Sequence, residues 1–164
     1  MLGSFLAGKR RFLAVFAAVV LGALALLGVA YADSGPSANG HANLLIAGEE
    51  QTFSFHVRTM PDGTVEGTFQ VKSRGQDITA HGVLDCLRVV GNTAHVSGVV
   101  TNSKEPIFGG ATFVLFTVVD NGEGEGAPPD LWSDIFLFFA PASCNLFGLP
   151  PVLPVEEGNF QVKP

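Results

Sequence analysis

Between Lys104 and Lys163 the chain carries no lysine or arginine. It has one tryptophan (Trp132), one tyrosine (Tyr31) and two cysteines, Cys86 and Cys144. Each shortage excludes something. Without a basic cluster beyond Lys9-Arg10-Arg11, neither nucleic acid nor an anionic membrane surface has the cationic patch it needs in the rest of the chain. With aromatic residues confined almost entirely to phenylalanine, a stacking platform for sugars is not expected, and the phenylalanines read as core. There is no G-x-S-x-G elbow and no H-E-x-x-H, so two common hydrolase constellations are missing. Gly122-x-Gly124-x-x-Ala127 is followed by Pro128-Pro129 where a dinucleotide fingerprint needs a helix, so that reading is rejected.

What is present begins with a leader. Lys9, Arg10 and Arg11 precede the apolar run Phe12–Ala30, and Ala30-Tyr31-Ala32 is a small-x-small cleavage site. The pattern predicts a secretory signal peptide over residues 1–32. The run is also long enough to span a bilayer, so an uncleaved N-terminal anchor is the alternative. After cleavage, six basic residues remain against fifteen acidic ones, a net charge of −9, and no membrane span is expected. The predicted location is secreted, extracellular or in the cell envelope. In an oxidising compartment two cysteines predict a disulfide, Cys86–Cys144.

The remaining chain alternates with the period of a strand. Phe53, Phe55 and Val57 alternate with Ser54, His56 and Arg58. Val65, Gly67, Phe69 and Val71 alternate with Glu66, Thr68, Gln70 and Lys72. Each set predicts a strand with one buried face. Pro61-Asp62-Gly63 reads as a tight turn, which pairs Phe55 with Phe69, Val57 with Gly67 and Arg58 with Glu66. A two-residue loop at Arg74-Gly75 would pair Val71 with Ile78, Phe69 with Ala80, Gly67 with Gly82, Val65 with Leu84 and Lys72 with Asp77. Cys86 then falls on the buried face. From Thr93, a two-residue turn at Gly91-Asn92 would put Leu87 and Val89 against the face set by Leu84 and Cys86. A longer turn, or a bulge near Leu87–Val89, is therefore expected.

Further strands are expected at His41–Ala47, Ala111–Asp120, Leu131–Phe139 and Asn159–Lys163. No helical periodicity appears beyond the leader. The expected fold is all-β: a single antiparallel eight-stranded barrel or sandwich, mostly a meander, with the last strand beside the first. The expected division is a signal peptide at 1–32, a flexible arm at 33–41 and a β domain at 42–164. In a pure meander Cys86 and Cys144 would lie at opposite ends. Either the chain after Phe139 crosses the barrel or the topology departs from a meander.

The acidic stretch holds the strongest candidate site. Asp120, Glu123, Glu125 and Asp130, with Asp134 nearby, crowd an oxygen-rich loop of the kind that can hold calcium, although the spacing is not that of an EF-hand. Of the four histidines, His56 and His81 flank Thr68 in the expected register, about 9–10 Å apart by strand spacing. That is too far to share a metal. His95 falls opposite Leu87, and His41 in the arm. No catalytic residue is nominated.

Five stretches together carry a resemblance: Ser37–Leu44 (SANGHANL), Gln51–Phe55 (QTFSF), His81–Cys86 (HGVLDC), Val119–Gly124 with Pro128-Pro129-Asp130, and Gly158–Val162 (GNFQV). The set resembles small exported bacterial all-β proteins of unassigned function. The resemblance implies bacterial origin and export, and brings no activity, ligand or cofactor. The leading functional expectation is a non-enzymatic secreted or envelope-associated β-module that binds a protein partner or small ligand. A calcium-dependent module is the alternative, and a hydrolytic enzyme the third.

Overall fold

The structure, a computed structural model, describes residues 35–46, 49–73, 75, 79–104, 112–145 and 153–164. Among these residues ten strands occur in order: β1 (Ser37–Ile46), β2 (Glu49–Thr59), β3 (Val65–Ser73), β4 (Thr79–Val90), β5 (Thr93–Ser103), β6 (Phe113–Val119), β7 (Leu131–Trp132), β8 (Phe136–Phe138), β9 (Leu153–Pro154) and β10 (Glu157–Lys163). All belong to one antiparallel sheet, curled into a half-barrel, with the order β10-β1-β2-β3-β4-β5-β6-β7-β9 and β8 also on β6. The meander is continuous from β1 to β6, and the last strand lies beside the first as expected. There is one sheet, not two facing sheets. The single strand expected at Leu131–Phe139 is two short pieces along β6, interrupted at residues 133–135. The first strand starts at Ser37, so most of the expected flexible arm is strand: Ser37 to Asn43 pair with β10 on one side and β2 on the other.

The β2–β3 hairpin has the expected register: Phe55 opposite Phe69, Val57 opposite Gly67, Arg58 opposite Glu66. Its turn is fixed locally. Gly63 has φ 84°, a conformation a β-carbon disfavours. Thr64 donates to Asp62 Oδ1 from both its backbone N (2.9 Å) and its hydroxyl (2.6 Å). Those two bonds favour the ionised carboxyl and hold Asp62 below the ordinary carboxylate range.

The β3–β4 register differs from expectation by two residues. Gly67 faces Leu84, Phe69 faces Gly82, Val71 faces Ala80 and Lys72 faces Thr79. The expected pairs Gly67–Gly82 and Val65–Leu84 are therefore not formed; the partners named for Val71 and Lys72, Ile78 and Asp77, lie outside the described residues. A two-residue slip keeps every side chain on its own face, so alternation cannot select between the two registers. Packing can. The Phe69 ring lies over Gly82, where a β-carbon would collide with ring atoms Cε1 and Cζ. An aromatic ring covering a strand glycine recovers the packing that glycine forfeits.

The β4–β5 hairpin turns tightly at Gly91-Asn92, with Val90 opposite Thr93. Agreement of faces is restored further up, at a bulge between Leu84 and Cys86, not at Leu87–Val89. Asp85 is the extra residue. Beyond it Leu87 and Val89 pack against the core with Leu84, while Cys86 and Arg88 turn outward. Cys86 is thus not on the inner face, contrary to the expected pattern. His95 lies opposite Arg88, not Leu87.

The concave side is filled. Phe53, Phe55, Phe116, Phe160 and Trp132 are buried there. Phe116 meets Phe53 and Phe55 edge-on, with ring centroids 5.1 and 5.2 Å apart. Phe53 contacts Trp132 at 5.7 Å, and Phe55 contacts Phe160 at 5.8 Å. Such pairs each contribute about 0.5–1.5 kcal/mol beyond area burial. They join β10 and β2 at one end of the sheet to β6 and β7 towards the other in one core.

Candidate functional site

β10 pairs with β1 through one edge only. Among the described residues its other edge meets no strand ladder, and two of its N–H groups go to carboxylates. Phe160 N donates to Asp130 Oδ2 at 2.6 Å, and Val162 N to Asp120 Oδ2 at 2.9 Å. The second oxygens are also used: Asn121 N donates to Asp130 Oδ1 and Gly122 N to Asp120 Oδ1, both at 2.8 Å. Asp130 is buried, and its carbonyl accepts from Val155 N at 2.8 Å. One residue therefore holds the loop after β6, the chain after β9 and the edge of β10. Buried backbone N–H groups need acceptors, and these two carboxylates supply them where the sheet cannot.

The residues nominated for calcium thus serve separate roles. Glu123 Oε1 accepts from Asn159 Nδ2 (2.8 Å) and Gln161 Nε2 (3.1 Å) on the outer face of β10. Glu125 is exposed in the loop, and Asp134 Oδ1 accepts from Ile135 N at 2.7 Å. Among the described residues no group of three or more His, Cys, Asp or Glu is placed to hold a metal.

The outer face beside Glu123 is more promising. A groove of about 630 Å³ crosses β10, β1 and β2 there. β1 contributes the outward side chains of Ser37, Asn39 and His41; β2 contributes His56 and Arg58; β10 contributes Asn159 and Gln161. The register explains the grouping. Gln161, Asn39 and His56 form one cross-strand row, and Asn159, His41 and Ser54 the next. A third row runs Lys163, Ser37, Arg58. The floor is small where β1 passes: Ala38 is buried and Gly40 has no room for a β-carbon against Phe160. Among the described residues that line this groove there is no Asp or Glu, and the Glu123 carboxylate stands beside it, bonded to Asn159 and Gln161. Glu123 takes one N–H from each of Asn159 and Gln161, which leaves each amide a second N–H donor and its carbonyl acceptor.

A second hollow, of about 440 Å³, lies across β2 to β5 and includes Ser54, Thr68, Gln70 and His81. The slipped register moves His81 opposite Gln70 and leaves Thr68 facing Val83, so His81 does not flank Thr68. His56 Nδ1 lies 3.2 Å from the Thr68 hydroxyl. His41, expected in the arm, is a groove residue.

On the far side of the sheet, Cys86 and Cys144 form a disulfide, with Cα atoms 5.8 Å apart. To reach β4 from β8, the chain passes over the outside of β5. The outward-facing His95 and Ser97 are buried there, and Arg88 Nη1 donates to the Asn145 carbonyl at 3.4 Å. His95 Nδ1 lies 2.9 Å from the Thr117 hydroxyl. Burial, and then the neighbouring Arg88 charge, lower the imidazole's pKa from its ordinary value.

Comparison of the chain with family models, with curated proteins and with solved structures gives no match. Among the described residues no helix is long and apolar enough to cross a membrane.

Proposed function

We propose that the chain is a non-enzymatic binding module of the cell envelope or extracellular space, and that its ligand lies in the outer groove across β10, β1 and β2. The leader-like start and the disulfide support the location. The groove supports the activity: its walls present amide, hydroxyl and imidazole groups from three adjacent strands, and it lies on the face the core leaves free. Its volume is within the range of small-ligand sites. The interior is the weaker alternative, because the space a barrel ligand would occupy holds the five aromatic rings.

Amide chemical-shift mapping with soluble saccharides and polar peptides tests the reading. Shifts confined to residues 37–41, 56–58 and 159–161 support it. Shifts centred on Phe53, Phe116 and Trp132 would place the ligand in the interior and overturn it.

A further inference from the structure

The groove is polarised, and its polarity specifies a ligand class. At one end Arg58 lines the groove, and Lys163, just outside the lining, lies across Ser37 from it in the same cross-strand row. Two strand spacings separate their backbones, about 10 Å, which long cationic side chains can bridge toward one anion. Glu66 faces Arg58 from β3, yet among the described residues no hydrogen bond or ion pair engages the Arg58 guanidinium. At the other end, Asn39, His41, Asn159 and Gln161 carry no permanent charge. The two β10 amides are each held by Glu123 through one N–H. One end is therefore built for an anion that can accept a planar fork of N–H donors, and the rest for groups that both donate and accept hydrogen bonds.

We propose that this groove binds a carboxylated oligosaccharide, with the sugar carboxylate on Arg58 and its hydroxyls on Asn39, His41, Asn159 and Gln161. The proposal rests on the functional reading above and names its ligand. A guanidinium matches a carboxylate bidentately. Hydroxyl groups suit a surface offering amide carbonyls, amide N–H groups and imidazoles together. An acidic peptide would share the carboxylate. It would also seek a free strand edge, and this groove runs over the face of strands already paired with one another.

Isothermal titration of the purified protein with three probes decides between these ligands: a galacturonate tetramer, a galactose tetramer of equal length, and a tetraglutamate peptide. The expected result is at least tenfold tighter binding of the galacturonate tetramer than of either other probe. Arg58→Gln should abolish that preference without changing the melting temperature, Arg58→Lys should retain part of it, and Glu125→Gln should leave it intact. Equal binding of the two tetramers, unaffected by Arg58→Gln, would overturn the carboxylate assignment and leave the groove reading standing. Tighter binding of tetraglutamate would overturn the saccharide class. If none of the three binds or shifts a groove amide, both this proposal and the groove reading fail.

Discussion

The buried carboxylate of Asp130 accepts the Phe160 N–H at 2.6 Å and the Asn121 N–H at 2.8 Å, one on each oxygen. A strand edge and a loop are thus joined through one side chain. A hydrogen bond to a charged group contributes about 1.5–3 kcal/mol, and a buried N–H left without an acceptor is costly. Asp130→Ala should therefore lower unfolding free energy by about 3 kcal/mol or more. Asp130→Asn should cost less, since its one carbonyl oxygen can still serve one of the two amides. Glu125→Ala, in the same loop but exposed, should stay within about 0.5 kcal/mol of the parent. Urea denaturation of the three variants checks the order.

Calcium offers a second test of the same region. Carboxylates already committed to backbone amides bind the cation poorly unless those bonds break. Millimolar calcium should leave the melting temperature unchanged. A rise of several degrees that disappears in Asp120→Asn would instead support the calcium-dependent module.

The ring of Phe69 over Gly82 predicts a coupled pair. Gly82→Ala puts a methyl group into that ring and against the Val99 carbonyl, and overpacking of this kind costs about 1–3 kcal/mol. In the double variant Phe69→Leu/Gly82→Ala the ring is gone, so the loss should be smaller than the sum of the single losses. Gly67→Ala should have no such partner for relief, because the space there is closed by the His56 carbonyl and the Val57 backbone. A double-mutant cycle in urea gives the coupling energy.

His95 should make stability depend on pH. Its pKa in the folded protein is lowered from 6.5, first by burial and then by Arg88, so the unfolded chain takes up the proton more readily. The stabilisation is present above the unfolded value of 6.5 and is lost as pH falls through it toward the lower folded value. Between pH 7.5 and 5.5 the parent should lose more stability than His95→Gln. Denaturation at the two pH values, with the imidazole followed by NMR, measures the difference.

Reduction of the disulfide supplies a further check. A crosslink spanning 58 residues contributes about 4 kcal/mol in the chain-entropy treatment. The Cys86→Ser/Cys144→Ser variant should lose about that much, and the reducing agent that destabilises the parent should leave this variant unaffected.

The residues explain why parts of this fold are legible in the sequence and others are not. The β2–β3 register can be read because Pro61-Asp62-Gly63 fixes the turn, and a fixed turn fixes every pair behind it. The β3–β4 register cannot, because alternation repeats every two residues and the selecting contact, Phe69 on Gly82, is tertiary. The need for a face correction in β4 is visible from Leu84 and Leu87, while its place at Asp85 is not. In the acidic loop the sequence marks residues that matter, but not what they do, since nothing in Asp120 or Asp130 announces which distant amide it will meet. The groove is hidden because its walls come from the first half of β1, which reads as a loose arm, and from β10 at the other end of the chain. The alternation of Asn39 and His41 with the buried Ala38 and Ala42 is the available signal.

The extra residue at Asp85 has a consequence for where the crosslink acts. Because it turns Cys86 to the outside, the disulfide takes no space among the aromatic rings. It fastens the chain after β8 to the outer face of β4 and leaves the packing of the interior to the side chains alone.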